Sequence, residues 1–234
     1  MCSMVISPVV KHPHPIGAND REIRAVLFDF GGVISSSPFE AFAGYEHTNG
    51  LPPGFLQSLN ATNHHDNAWA KLERGEVDVA GFARLFEAEA SALGHRVDAL
   101  EVLSRVGGEL RPRMVETVRL CSERYVTGLL TNNFLGDSAA LSDRFREQSG
   151  EVAAVLAMFD AVIESSKVGV RKPEVRFFEL ACEVLEIEPP EAVFLDDLGV
   201  NLKPARALGM HTIKVVTEDQ AIRDLEAVLG HPIG

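Results

Sequence analysis

The sequence has 234 residues, of which 46% are hydrophobic and 24% are charged, and its formal net charge is −12. This composition predicts a globular protein with room for one good core and a smaller inserted one. The negative charge argues against a surface that binds nucleic acid. The three cysteines are widely spaced, no apolar run reaches the roughly 18 residues of a membrane span, and the N-terminus lacks the layout of a signal peptide. We therefore expect a cytoplasmic protein with no membrane or nucleic-acid partner, and the sequence leaves both a monomer and a homodimer open.

Residues 1–22 contain several prolines and no hydrophobic periodicity, which predicts a mobile N-terminal tail. A short apolar run at 25–28 follows; it is typical of a strand buried on both faces, and it leads directly into Asp29. Gly31 and Gly32 come next, and two glycines let the backbone turn sharply and approach a ligand closely. Taken alone, this pattern fits an ordinary exposed turn as well as it fits a ligand site.

The segment after the first strand has a helical pattern. Ser37-Pro38-Phe39-Glu40 predicts a helix start, with Ser37 as the N-cap residue, Pro38 in the first position and Glu40 completing a capping box. Another helix is predicted to start at Pro52-Pro53, and no strand candidate occurs before about residue 108. We expect residues 37–108 to form a small helical bundle inserted after the first strand; they are called the cap segment below.

Helices and strands alternate from about residue 111 onward. Strands are predicted at 125–133, 159–163, 192–195 and 211–216, and helices at 111–124, 137–157 with a break near 149–150, 173–186, 201–208 and 217–229. Alternation of this kind indicates right-handed βαβ units, with helices on both faces of a mostly parallel sheet. The predicted fold class is α/β, with a Rossmann-like three-layer core formed by residues 23–36 and 109–234.

Three of the predicted strands end in polar residues, namely Asp29, Thr131-Asn132 and Asp196-Asp197. Because parallel strands end at the same edge of a sheet, these side chains should converge. Three close carboxylates repel one another, and a hard divalent cation with oxygen ligands, such as Mg²⁺, would relieve that repulsion. Lys172 offers a second positive charge. Each feature singly also fits a helix cap or a solvated lysine, but their joint occurrence in this order favours a site.

Four segments, in this order along the chain, resemble the motifs of the haloacid dehalogenase (HAD) superfamily of hydrolases. They are Phe28-Asp29-Phe30-Gly31-Gly32-Val33, Leu130-Thr131-Asn132, Gly169-Val170-Arg171-Lys172-Pro173 and Phe194-Leu195-Asp196-Asp197-Leu198-Gly199-Val200-Asn201. The resemblance covers about residues 23–230, and it implies that the cap segment is the small helical cap domain of that superfamily. It implies an enzyme, a Mg²⁺-dependent phosphatase that hydrolyses a small phosphorylated metabolite through an aspartyl-phosphate.

Carried onto this chain, the resemblance implies a role for each matching residue. Asp29 would be the nucleophile, and Lys172 would neutralise the charge of the nucleophile and the phosphate. The implied ligands of Mg²⁺ are Asp29, the backbone carbonyl of Gly31, Asp197 and, directly or through water, Asp196. The phosphoryl oxygens would be bound by Thr131, Asn132 and Lys172. Asn201 would tether the loop that carries Asp197.

One position departs from the superfamily's pattern. Phosphatases of this kind usually carry a second aspartate two residues after the nucleophile, as general acid and base, and here that residue is Gly31. Such help is typically worth about 10²–10⁴-fold. Three interpretations stay open. The chain is a phosphatase whose leaving group needs little protonation, or one that borrows an acid from the cap segment (His64, His65 or Lys71). Alternatively, it is a weak or inactive protein that senses a phosphorylated metabolite, or, less in keeping with the paired acids, a hydrolase of C–P or C–halogen bonds.

Overall fold

The structure is a computed structural model that describes residues 22–106, 108–132 and 143–234, without the side chains of 143–149. The predicted tail at 1–22 lies outside these ranges except for Glu22. So do residue 133, the last of the strand predicted at 125–133, and the first residues of the helix predicted at 137–157. Within the described ranges, no helix has the length and apolar composition needed to cross a membrane.

A parallel sheet forms the centre of the molecule, with the strand order β3-β2-β1-β4-β5. The strands are β1 (Ala25–Phe28), β2 (Val126–Thr131), β3 (Ala161–Glu164), β4 (Ala192–Asp196) and β5 (His211–Lys214). Central β1 is completely buried, as its uninterrupted apolar run predicts. Every strand pairing is parallel, so this part of the predicted α/β fold is confirmed.

The register of the sheet brings the polar strand ends to one level. Phe28 lies opposite Leu129 of β2 and Leu195 of β4. The residue after Phe28 is Asp29, and the next residues of the neighbouring strands are Leu130 and Asp196. Because all strands run in the same direction, the ends of β1, β2 and β4 meet at a single edge.

Alternate residues of β1 pack against opposite faces of the sheet, as the pleat requires. Val26 and Phe28 belong to a hydrophobic cluster with residues of α6 (Pro112–Cys121) and α11 (Glu218–Leu229), while Ala25 and Leu27 belong to one with residues of α9 (Val175–Leu185) and α10 (Gly199–Ala207). In this part of the chain, α7 (Asp143–Leu156) follows β2, and α8 (Ser165–Val168) follows β3. The result is three layers, with the sheet in the middle.

The cap segment contains helices and its own hydrophobic cluster, which is built around Phe82, Phe86 and Leu103. Its helices are α1 (Pro38–Asn49), α2 (Phe55–Ala61), α3 (Ala68–Glu73), α4 (Val79–Ala92) and α5 (Ala99–Arg105). Ser37 is the N-cap residue of α1, and its side chain accepts the N–H of Phe39. Side chains of Asn67, Asp78 and Asp98 likewise accept backbone N–H groups at the starts of α3, α4 and α5.

Several predicted helix bounds were wrong. The helix expected from Pro52-Pro53 begins at Phe55, because Gly54 takes a left-handed conformation (φ 78°) as its N-cap residue. α7 runs through Ser149-Gly150 without the predicted break; an interior glycine costs only about 1 kcal/mol. α9 starts after Glu174 rather than at Pro173. α10 starts early, at Gly199, and continues past Pro204.

Candidate active site

Asp29 leaves the end of β1 with its carboxylate turned toward other charged groups. Its residue surface is 8% exposed. Oδ1 accepts the backbone N–H of Phe30 at 2.7 Å and lies 2.8 Å from Nζ of Lys172. Among the described residues, no hydrogen bond to Oδ2 is found. One oxygen of Asp29 is thus held by the protein, while the other is available to a ligand.

Lys172 lies between two carboxylates. Its Nζ is 2.8 Å from Oδ1 of Asp29 and 2.8 Å from Oδ2 of Asp196, and its side chain is only 1% exposed. Asn132 holds the backbone of Lys172 with two hydrogen bonds of 2.9 Å each: the N–H of Lys172 donates to Oδ1 of Asn132, and Nδ2 of Asn132 donates to the carbonyl of Lys172. The end of β2 therefore positions the lysine.

Asp196 is the last residue of β4 and is completely buried. Besides the bond from Lys172, its carboxylate accepts Nδ2 of Asn201 at 3.1 and 3.0 Å and the backbone N–H of Leu198 at 2.8 Å. Asn201 thus bonds to Asp196, whereas the sequence indicated a tether for the loop that carries Asp197. Asp196 directly precedes Asp197 in the chain, so the observed bonds are compatible with that role.

Asp197 packs against the second glycine of the Gly31-Gly32 step. A Cβ atom at position 32 would lie 2.2 Å from Oδ2 of Asp197, and Gly32 has a φ of 74°. Only glycine combines this backbone conformation with this space. Ser37 Oγ donates to the same Oδ2 at 3.4 Å. The turn after β1 is therefore shaped to admit the carboxylate of Asp197.

The three carboxylates form a cluster that fits a hard cation. Single oxygens of Asp29, Asp196 and Asp197 all lie within 4.8 Å of one another. Carboxylate oxygens of this number and spacing are a donor set that suits Mg²⁺. When all three acids are ionised, Lys172 by itself leaves an excess of negative charge in a buried place, which disfavours the ionised cluster without a further cation.

Burial and mutual repulsion raise the pKa values of two acids of this cluster, Asp29 and Asp197. Burial, together with the charges of Asp196 and Asp197, raises the pKa of Asp29 well above its ordinary value despite the opposing effect of Lys172. Burial and the charge of Asp196 raise the pKa of Asp197 to about 6. Burial acts to lower the pKa of Lys172, but the attraction of Asp196 and Asp29 outweighs it and raises that pKa.

Thr131 is the last residue of β2 and is 6% exposed. It lies at the same edge of the sheet as Asp29, beside Asn132. Gly31 begins the turn after β1, and Arg111 donates to the carbonyl of Gly32 at 2.6 Å. The structure thus brings all the predicted site residues to this edge of the sheet: Asp29, Gly31, Thr131, Asn132, Lys172, Asp196, Asp197 and Asn201.

The three cap residues considered as acids do not bond to the cluster. Lys71 Nζ donates to Oδ1 of Asp66 at 2.5 Å, and the rings of His64 and His65 lie 3.9 Å apart on an exposed loop. Among the described residues, none of them has a hydrogen bond or ion pair with Asp29, Asp196 or Asp197.

Sequence reasoning missed a buried connection between the cap segment and the residue before Lys172. Nε of Arg171 lies 2.6 Å from Oε2 of Glu73, without hydrogen-bond alignment, and Arg171 also donates to the carbonyl of His64 at 2.9 Å. The indole N–H of Trp69 donates to Oε1 of Glu73 at 2.9 Å. Burial raises the pKa of Glu73 to about 7 despite the opposing charge of Arg171. A sequence signal was present, because Glu73 is an acid on the otherwise apolar side of α3.

Comparison with known proteins shows the family of this chain. The sequence model of the haloacid dehalogenase-like hydrolases matches residues 23–209. "Acyl-CoA dehydrogenase family member 10" of Mus musculus is 33% identical over 234 residues, covering 94% of this chain. The chain spans only 21% of the length of that relative, so the match concerns one portion of a larger protein.

Two further matches extend over nearly the whole of the matched protein. "Phosphatase MT3486" of Mycobacterium tuberculosis is 27% identical over 221 residues, which are 88% of this chain and 95% of the relative. The crystal structure of a HAD family enzyme from Bacteroides thetaiotaomicron, in complex with magnesium and inorganic phosphate, superposes with a TM-score of 0.57 at 20% identity. That superposition covers 83% of this chain and 94% of the other; at this identity it shows a shared fold.

Proposed function

The chain belongs to the haloacid dehalogenase-like hydrolase family, and from this premise we propose that it is a Mg²⁺-dependent phosphatase of a small phosphorylated metabolite. The observation that carries the proposal is the arrangement of Asp29, which has one carboxylate oxygen bound by Lys172 and Phe30 and the other open, beside the acids Asp196 and Asp197. A nucleophile with a fixed orientation and a neighbouring positive charge suits attack on phosphorus.

In the proposed reaction, the open oxygen of Asp29 attacks phosphorus, and the bond from phosphorus to the leaving-group oxygen breaks. The leaving group takes the electron pair of that bond. Water then attacks the phosphorus of the aspartyl-phosphate, which releases inorganic phosphate and restores the carboxylate of Asp29. Phosphoryl transfer of this kind depends mainly on positioning and on neutralising charge, and Lys172 supplies a fixed positive charge beside the reacting oxygen.

We assign the metal ligands from the bonds that each acid already makes. Asp196 accepts hydrogen bonds from Lys172, Asn201 and Leu198, so it would act through water. Asp29, Asp197 and the carbonyl of Gly31 would contact Mg²⁺ directly. When bound there, the ion would neutralise the phosphoryl oxygens and the carboxylates that face them.

The phosphoryl group would be bound at the end of β2. Thr131 offers a hydroxyl group there. Asn132 already uses its amide to hold the backbone of Lys172, so we expect its contribution to the phosphate to come from the remaining N–H groups. The cap segment would close over the bound substrate and exclude bulk water, with the Arg171–Glu73 contact at its boundary.

The comparisons support this proposal without naming a substrate. One relative that matches over almost its whole length carries the name of a phosphatase, and a protein of the same fold binds magnesium and inorganic phosphate. Neither likeness extends to the metabolite that this chain would hydrolyse.

The test is the release of inorganic phosphate from a panel of phosphorylated metabolites, with Mg²⁺ and with EDTA. We expect Asp29→Asn to lower kcat/KM by about 10³-fold or more, since it removes the nucleophile. Asp224→Asn, the same change on the exposed face of α11, is the matched control and should leave the rate unchanged. Turnover that survives Asp29→Asn would overturn the proposal. Tight phosphate binding without turnover would indicate a sensing protein. Halide release from a haloacid in the absence of Mg²⁺ would indicate a dehalogenase.

A further inference from the structure

The space beside Gly31, where a general acid is missing, is occupied by Pro38. A Cβ atom built on Gly31 would lie 3.2 Å from Cδ and 3.3 Å from Cγ of Pro38, closer than two carbon atoms pack without adjustment. The ring of Pro38 thus occupies the space into which a side chain at position 31 would extend. Gly31 provides no acid at this position, and the ring of Pro38 places an apolar group beside it.

Pro38 is held in place by the residues around it. It is the first residue of α1, directly after the N-cap residue Ser37. Ser37 Oγ donates to Asp197 Oδ2 at 3.4 Å, and the backbone of Ser36 donates to the carbonyl of Glu109 at 2.8 Å. A movement of Pro38 that made room at position 31 would disturb the start of α1 and the contact with Asp197.

The polar groups nearest to Asp29 have other partners. Lys172 bonds to both Asp29 and Asp196, and we have assigned Asp197 and Asp196 to the metal. His64, His65 and Lys71 do not bond to this cluster. Among the described residues, none of the acids that the sequence offered as a replacement for the missing aspartate therefore contacts this cluster.

On the premise that this site hydrolyses phosphate compounds as proposed above, we infer that the contact of Pro38 with Gly31 restricts it to phosphoryl donors whose leaving group departs without a proton. Acyl phosphates, phosphoric anhydrides and aryl phosphates with stabilised phenolates belong to this class. In each, the leaving oxygen departs as a stable anion with the electron pair of its bond to phosphorus. Asp29 forms the new bond, and no proton transfer accompanies the step. Simple alkyl phosphates, whose alkoxide needs protonation, would be poor substrates.

The first test uses the wild-type protein with Mg²⁺ and a series of donors: acetyl phosphate, nitrophenyl phosphate, phenyl phosphate and ethyl phosphate. Spontaneous hydrolysis is subtracted with the Asp29→Asn protein. Because general acid catalysis is typically worth about 10²–10⁴-fold, we expect kcat/KM to fall steeply along the series, by more than about 10²-fold from acetyl to ethyl phosphate. Values within about tenfold of each other would overturn this inference alone, since phosphate release would still support the phosphatase.

The second test restores an acid. Gly31→Asp together with Pro38→Ala supplies both the carboxyl group and its space, and it should raise the rate on ethyl phosphate relative to acetyl phosphate by about 10²-fold. Gly31→Asp alone should restore much less, because Pro38 remains, and Pro38→Ala alone should leave the ratio as in the wild type. Thermal melting checks that each variant is folded.

A folded double variant with the wild-type ratio would overturn the role of Pro38. No phosphate release from any donor, acetyl phosphate included, would overturn the phosphatase and this inference together. Because the donor series needs neither Gly31→Asp nor Pro38→Ala to fold, the leaving-group restriction can be refuted without these two substitutions.

Discussion

Lys172 links Asp29 to Asp196 through direct contacts. Its ammonium group lies 2.8 Å from both Asp29 and Asp196 and is almost completely shielded from solvent. A buried charge is tolerated only when it is paired and hydrogen-bonded, and here one lysine satisfies one oxygen on each of two acids. Asp197 shares in the repulsion without a bond to the lysine, and the pKa of its carboxyl group rises to about 6 because of burial and Asp196. Because Lys172 does not bond to Asp197, the negative charge of Asp197 is the reason to expect a metal ion.

Gly32 allows Asp197 to approach the turn after β1. Gly32→Ala would place a Cβ atom 2.2 Å from Oδ2 of Asp197 at a φ of 74°. We expect a loss of at least about 1–2 kcal/mol of stability and a weaker affinity for Mg²⁺, because the carboxylate must move. Urea unfolding and calorimetric titration with Mg²⁺ measure these effects.

Gly44→Ala is the matched control for this change. Gly44 lies inside α1, and a Cβ atom there meets no other atom within 4 Å. The better helix propensity of alanine should stabilise the protein by roughly 0.5–1 kcal/mol, with no change in metal affinity. If Gly32→Ala left both stability and Mg²⁺ affinity intact, the close packing of Asp197 on the turn would be wrong.

At the scale of elements, α3 of the cap segment is connected to the loop before α9 by the buried pair of Glu73 and Arg171. A Cβ atom on Gly75, just beyond α3, would lie 2.7 Å from the carbonyl oxygen of Ser166 in α8, so the two backbones approach closely here. Since Arg171 precedes Lys172 in the chain, the docking of α3 and the position of Lys172 depend on each other.

Glu73 should make stability depend on pH. Burial raises its pKa to about 7, against the opposing charges of Arg171, Lys172 and Arg74. The folded protein therefore binds this proton more tightly than the unfolded chain does, so the stabilisation is present at low pH and is lost as the pH rises through about 7. Between pH 5.5 and 8, we expect wild-type stability to fall by about 2 kcal/mol relative to that of Glu73→Gln.

Urea unfolding at both pH values, in EDTA, measures this difference. Glu40→Gln, the same change at an exposed acid of α1, is the matched control. Parallel pH dependences for the wild type and Glu73→Gln would contradict the assignment of this proton to Glu73.

For the whole molecule, the site lies where two separately packed units meet. The sheet carries Asp29, Thr131 and Asp196 at the ends of its strands, while the cap segment has its own hydrophobic cluster. Hydrophobic packing therefore stabilises each unit by itself. Contacts across the boundary include the ion pair of Arg171 with Glu73 and the hydrogen bond from Arg171 to the carbonyl of His64.

Metal binding should stabilise the whole fold, because the ion would bind a cluster that exists only in the folded chain. At a free Mg²⁺ concentration of 100 times its Kd, the expected gain in unfolding free energy is about 2.7 kcal/mol. Thermal melting in Mg²⁺ and in EDTA tests this. Asp197→Asn should abolish most of the shift and Asp224→Asn should keep it. Equal melting temperatures for the wild type in both buffers would contradict a magnesium site.

The sequence by itself determined the sheet and the members of the site. Apolar runs such as 25–28 and 192–195 predict buried strands because they have no polar side to expose. The polar residues that follow them must meet, because the strands are parallel. The motifs around Asp29, Lys172 and Asp196-Asp197 could therefore be found in the chain without coordinates.

Only the tertiary structure decided which partners these residues have. Asn132 holds the backbone of Lys172, Glu73 meets Arg171, and Pro38 fills the space beside Gly31. Each of these contacts joins residues from different elements, and its distance depends on how the helices dock on the sheet. Hydrophobic pattern and helix caps describe one element at a time, so they carry no information about such distances.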